Sequence, residues 1–157
     1  MLLAVLILSA VQTNACSRKV APPVHKSGVS AGKELNTQIL YYVNKYRASK
    51  GLSALEFNDV MNDQARLHSQ HMANGSTPFG HDGFEDRVAY VGKKIGRVSA
   101  AAENVAYGNL DAEGVVNGWI HSPGHRKNME GKYLLTGIGT ADGPNGITYF
   151  TQIFVQQ

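Results

Sequence analysis

At 157 residues, 43% of them hydrophobic and 17% charged, the chain has room for one globular domain and enough apolar side chains for a core without metal or disulfide staples. Its formal charge of +3 is unevenly spread: Arg18, Lys19, Lys26 and Lys33 stand before residue 34 without an acid, while residues 34–157 carry eleven Lys and Arg against twelve Asp and Glu. A body that is near neutral, with no basic stripe interleaved with aromatics, argues against nucleic acid as a partner.

The chain opens on MLLAVLILSA, an apolar run with the length of a signal-peptide core and too short to span a bilayer. Residues 1–15 therefore read as a signal peptide. Ala15 stands directly before Cys16, the only cysteine, which reads as a lipidation site. No leucine lies three residues before Cys16 and no basic residues precede the apolar run, so plain cleavage after Ala15 is the competing reading. Both imply export, to a lipoprotein of the cell envelope or to the extracellular space. Residues 16–33 combine Pro22-Pro23 with small and charged residues and no periodicity, the pattern of a flexible tether. The folded domain is expected over 34–157.

Leu35, Ile39, Tyr42, Val43 and Tyr46 fall at helical spacing, and Gly51 stops that helix. Leu55 and Phe57 form a short buried connection. Asn58 caps a second helix, striped by Met61, Ala65, His68 and Met72 and ended at Asn74-Gly75. Residues 76–83 are loop or short strand. Phe84, Val88 and Val91 mark a third helix, stopped between Gly92 and Gly96. Residues 100–107 suit either a strand or an irregular segment. Asp111 caps a fourth helix carrying Val115, Val116, Trp119 and Ile120, and Ser122-Pro123 opens a turn or a short fifth helix. Residues 134–140 and 147–155 are β-rich, and residues 142–146 join them as a hairpin turn. Helices first and an antiparallel hairpin last make an α+β layered domain.

Six histidines carry most of the candidate chemistry. His25 lies in the tether. His68 and His71 are three apart on the second helix, where they can share a face, but His68 also fits the apolar stripe. His121 stands at a helix end, where its imidazole can take up a free carbonyl. Arg47, on the first helix, suits an anchor for a carboxylate or for carbonyls, and Trp119 suits the core. His81 sits in a loop between Gly80 and Asp82, and His125 follows Gly124 in a capped turn. Glu103 is the one acid in an uncharged run, so a partly buried carboxylate seeking a partner is expected there. Two imidazoles and a carboxylate make a donor set that zinc accepts with an open water position, and the same groups serve as acid and base near neutral pH.

Ala102-Glu103-Asn104-Val105-Ala106 resembles the G-E-N-[LIV]-A segment of the CAP (SCP-like) superfamily. Residues 119–129 resemble its short bacterial motif W-x-x-S-x-G-H-x-x-N-[ILM], residues 134–140 and 149–154 its closing strands, and Asn44, Arg47 and Leu55 its first-helix pattern. The resemblance covers about residues 34–157. It implies an α-β-α sandwich with a short antiparallel sheet between helices, and a cavity holding two histidines and two acids. Carried over by position, His81 and His125 are the histidines and Glu103 is one acid; the place of the other acid is taken by Ser122, leaving the set incomplete. Ser122, also read as a helix cap, and Asn128 complete the expected cavity lining, with a hydrogen bond from Asn128. Members of the superfamily have been linked to divalent metals, to sterols and other lipids, and to host partners. A binding module holding a divalent metal such as zinc, a small hydrophobic ligand or sterol, or a protein partner is thus the first expectation, with membrane attachment through Cys16. A metal-assisted hydrolase, protease or esterase, using His81, Glu103 and His125 is the second, and a purely structural surface protein the third.

Overall fold

The computed structural model describes residues 29–157; the expected signal peptide, Cys16 and most of the expected tether lie outside the described residues. Helix α1 spans Val29–Ser49, so it starts five residues before the boundary expected at Glu34. Its end is stapled by Gly51, whose amide reaches Ala48 O, while Leu52 reaches back to Arg47 O at 3.0 Å. Gly51 adopts φ +69°, the left-handed conformation that this type of helix stop requires.

Strand β1 (Glu56–Phe57) is followed by α2 (Asp59–Ala73), and Asn58 accepts from the Met61 amide as its cap. Phe57 proves exposed, not buried, because β1 is a two-residue edge strand. Residues 76–83 contain no strand, and α3 covers Phe84–Ile95. The ambiguous segment resolves as strand β2 (Ala100–Gly108). Then come α4 (Ala112–His121), capped by Asp111 onto the Gly114 amide, and α5 (Pro123–Met129) with proline at its first position. Ser122 precedes α5, but its hydroxyl makes no capping hydrogen bond; only its carbonyl accepts, from the Arg126 amide. Strands β3 (Leu135–Asp142) and β4 (Thr148–Gln156) close the chain as the expected hairpin.

The sheet order is β1-β3-β4-β2, antiparallel except where β1 pairs parallel to β3. Alternation along the strands gives it two apolar faces. Ala102, Phe150, Phe154 and Ile138 pack with α1 and α4 through Ile39, Val43, Val115, Val116 and Trp119. On the other face, Ile153 and Val155 pack with Met61 and Ala65 of α2 and Val91 of α3. The result is the α-β-α sandwich. Gly137 and Gly139 let α2 press directly on β3: a Cβ at either position would collide with the backbone of Met61 or of Ala65 and Arg66. The α1 layer is tied to the rest by Arg47, 1% exposed, whose guanidinium donates to Ser53 O, Met129 O, Gly131 O and Tyr133 O. It anchors carbonyls, as its position on the helix suggested.

Candidate functional site

Glu103 lies near the middle of β2, on the face that meets α2 and α3. Its side chain is 1% exposed, so an ionised carboxylate there needs charge and hydrogen bonds around it. Arg87, on α3, grips it with a fork: Nε donates to Oε2 at 3.0 Å and Nη2 to Oε1 at 2.8 Å. The third arm of the guanidinium, Nη1, holds Asp82 O at 2.8 Å and so binds the preceding loop to the same helix. His81 Nδ1 lies 2.9 Å from Glu103 Oε1. With the proton on Nδ1, His81 donates to the carboxylate and turns the lone pair of Nε2 outward, an arrangement that fixes tautomer and ring orientation together. The His81 side chain remains 53% exposed, so the site pairs a buried acid with an accessible imidazole.

The loop carrying His81 is pinned from beneath. His68, buried in the α2 stripe, has Nε2 at 2.9 Å from Gly80 O, to which it donates, and at 3.9 Å from Glu103 Oε1. Burial pushes its imidazole below the ordinary value of 6.5, so the longer contact is that of a neutral ring and not an ion pair. His71, three residues on, is exposed and shares no site with it. On the opposite face of β2, Asn104 Nδ2 donates to His125 O, and Asn128 Nδ2 donates both to Asn104 Oδ1 and to Glu103 O. These amides tie α5 to β2 and set the height of His125. Burial, and behind it the charge of His81, hold the His125 imidazole below its ordinary value. His125 is thus a neutral base at pH 7, within electrostatic reach of His81. His121 Nδ1 lies 2.8 Å from Asn117 O, the helix-end role expected for it.

Of the expected site residues, His81 and Glu103 are in direct contact, His125 is a half-buried neighbour, and Asn128 is a prop beneath the strand. Arg87 was not foreseen from the sequence. Its signal was its place three residues after Phe84, on the apolar stripe of α3, where an inward guanidinium needs acceptors, either a carboxylate or carbonyls. The Arg87 fork also bears on the metal implied by the resemblance. Both Glu103 oxygens are engaged, and among the described residues no group of three or more His, Cys, Asp or Glu side chains is arranged to hold a metal ion. Glu103 does not fit as a ligand; the donors that remain are the two imidazoles.

Two predictions follow from this geometry. Arg87→Met strands a buried carboxylate and should lower unfolding free energy by about 3 kcal/mol, while adding Glu103→Gln should restore most of it; strictly additive losses in urea unfolding would contradict the ion pair. The second concerns pH. Unfolded His68 titrates near 6.5 and the folded residue lower. Below pH ~6.5 the unfolded chain therefore binds the proton more readily, so the stability His68 contributes is complete above that pH and is lost as pH falls toward the folded value. His68→Gln, whose amide can still donate to Gly80 O, should lose less stability than the parent between about pH 7.5 and 5. An equal loss in both proteins would dismiss the role.

The sequence model of the cysteine-rich secretory protein family, CAP, matches residues 40–154. The uncharacterised membrane protein YlbC of Bacillus subtilis is 30% identical over 132 residues, covering 76% of this chain and 34% of that protein. Protein YkwD of the same organism is 29% identical over 132 residues, 82% of this chain and 49% of its own length. The chain thus spans between a third and a half of the curated relatives it matches. Among solved structures, an extracellular SCP-domain protein from Bacillus anthracis superposes with a TM-score of 0.73 at 26% identity, over 87% of this chain and 45% of that one. An outer surface protein of Borrelia burgdorferi shares the fold with a TM-score of 0.66 at 20% identity, over 80% of this chain and 94% of its own. The family match runs from the first helix to the last strand and takes in the loop of His81, the strand of Glu103 and the helix of His125: the chain belongs to the cysteine-rich secretory protein (CAP) family.

Proposed function

We propose that this is an exported CAP-domain binding protein whose recognition chemistry centres on the imidazoles of His81 and His125. The observation that carries the reading is His81, clamped through Nδ1 onto a buried carboxylate while half its side chain faces solvent. Holding a ring in one tautomer with its free nitrogen outward suits it to receive a ligand atom. His125, kept neutral by burial, supplies a second nitrogen donor. A divalent metal such as zinc is one ligand of matching chemistry, held by the two imidazoles with Glu103 orienting His81 from behind. Bound there, the metal would supply open coordination positions for a further ligand. For a small hydrophobic ligand or sterol, the candidate is the open groove of about 560 Å³ between α1 and α4, whose lining mixes Tyr42, Tyr46, Val116 and Ile120 with the charged Lys45, Asp111 and Glu113. The alternative, a metal-assisted hydrolase, has less support. It asks Glu103 to take or give a proton, and that carboxylate is occupied by Arg87.

Export is supported by the apolar leader, and by the description of one structural relative as extracellular and of another as an outer surface protein. Among the described residues no helix is long and apolar enough to cross a membrane. Attachment through a lipid on Cys16 would place the domain at an envelope surface, on a tether of a dozen or so residues.

In calorimetry, zinc should bind the parent protein and fail to bind His81→Ala and His125→Ala, with circular dichroism showing all three folded. Glu103→Gln should weaken binding roughly tenfold, through loss of orientation. Unchanged zinc affinity in both histidine variants would remove the imidazoles from the account. The anchor is checked separately: the full chain made in its own host should partition into detergent, and Cys16→Ser into the aqueous phase. Aqueous partitioning of the parent would count against lipidation.

A further inference from the structure

The chain contains three Asn-Gly pairs, Asn74-Gly75, Asn117-Gly118 and Asn145-Gly146. Chemically they are alike. In each, a glycine amide without a side chain to hinder it follows an asparagine whose side-chain carbonyl it can attack. The fold makes them different. Asn117 lies inside α4, where the helix ladder occupies the Gly118 amide. Asn74 ends α2: the Gly75 amide reaches Met72 O at 3.3 Å, and Asn74 Oδ1 is held by the Ser76 amide at 2.9 Å and by the Ser76 hydroxyl at 2.6 Å.

Asn145 stands apart from both. It is exposed at the tip of the hairpin between β3 and β4, in a single 3-10 turn, Pro144–Gly146. Its own angles, φ 58° and ψ 30°, are not helical, and it is the one residue other than glycine with positive φ among the described residues. That left-handed conformation is one an L side chain adopts reluctantly, so the turn does little to hold it. Gly146 follows at φ +72° with open space around its Cα. Among the described residues no hydrogen bond restrains the Asn145 side chain. The turn is closed only at its ends, by the Gly143 amide on Ile147 O at 2.7 Å and the Ile147 amide on Pro144 O at 3.2 Å.

We propose that Asn145 is a modification site, at which the folded protein converts asparagine to aspartate and isoaspartate without an enzyme. The Gly146 nitrogen, having lost its proton to base, attacks Cγ of Asn145. The new N–Cγ bond closes a five-membered succinimide, the Cγ–Nδ2 bond breaks, and Nδ2 leaves as ammonia. Water then opens the ring. Addition at Cγ gives aspartate with the ordinary backbone. Addition at the main-chain carbonyl gives isoaspartate, in which the chain runs through Cγ and is one methylene longer. Either product puts a carboxylate into a turn that already carries Asp142, whose Oδ1 accepts from Thr148 at 3.2 Å. The proposal does not depend on the imidazole site.

Trypsin separates the three asparagines into different peptides, and Asn145 is the only asparagine in its own, residues 133–157. The full chain is incubated at mildly alkaline pH, folded and in urea, and each peptide is followed by mass spectrometry for exchange of amide for acid. In the folded protein Asn145 should convert at least about tenfold faster than Asn74 or Asn117, and in urea the three rates should converge. Gly146→Ala should slow conversion at residue 145 about tenfold in both conditions, because the hindrance to attack is local and does not need the fold. Conversion of Asn74 or Asn117 as fast as Asn145 in the folded protein would overturn the proposal. So would an Asn145 that reacts in urea and is inert in the folded chain. An unchanged rate in Gly146→Ala would overturn the succinimide route, leaving direct hydrolysis of the amide.

Discussion

A carboxylate has been placed where water cannot reach it, and one half of the molecule is arranged around that fact. Glu103 cannot remain ionised inside the sandwich without compensation. The compensation comes from α3 through Arg87, from the loop through His81, and at longer range from α2 through His68. The same guanidinium holds Asp82 O, and the same buried histidine holds Gly80 O. The loop before α3 is therefore clamped at two carbonyls and one side chain, although it contains no regular structure. An exposed imidazole becomes a defined one because of what lies beneath it.

The other face has its own polar hub. Arg47 gathers four carbonyls from the loop between α1 and β1, the end of α5 and the turn into β3, where the chain changes direction and cannot satisfy its own backbone. Between the hubs, the sheet face toward α2 carries glycine at 137 and 139, and close approach replaces side-chain interdigitation there. That approach brings Ser69 within 2.8 Å of Thr151 Oγ1 and 2.9 Å of Gly139 O, and puts His68 at the height of Glu103. Packing distance and site geometry are thus one constraint.

Arg87 changes what family membership implies about chemistry. A cavity with two histidines and two acids invites a cation. The resemblance puts Ser122 where the second acid was expected, and Glu103 is paired with a cation already belonging to the chain. What remains accessible is the His81 imidazole, with the half-buried His125 as its neighbour.

Much of this was legible along the chain because it is local. Asn58 and Asp111 announce their helices by capping the third residue onward, Gly51 announces a stop, and the alternating runs around residues 142–146 announce a hairpin. The stripe from Met61 to Met72 identified the buried face of α2, and the motifs around Glu103 and His125 identified the family and so the sandwich. The helix at Val29–Lys33 was hidden because its residues lack a periodic stripe and take their conformation from the helix they continue. The partner of Glu103 was hidden for a different reason. Arg87 is sixteen residues away, and only the docking of α3 against β2 decides that this arginine and this acid share one buried volume. Periodicity reports which side of a helix faces inward, but the electrostatic cost of a buried charge is settled only when the elements meet, because the dielectric and the neighbours that set it do not exist until then.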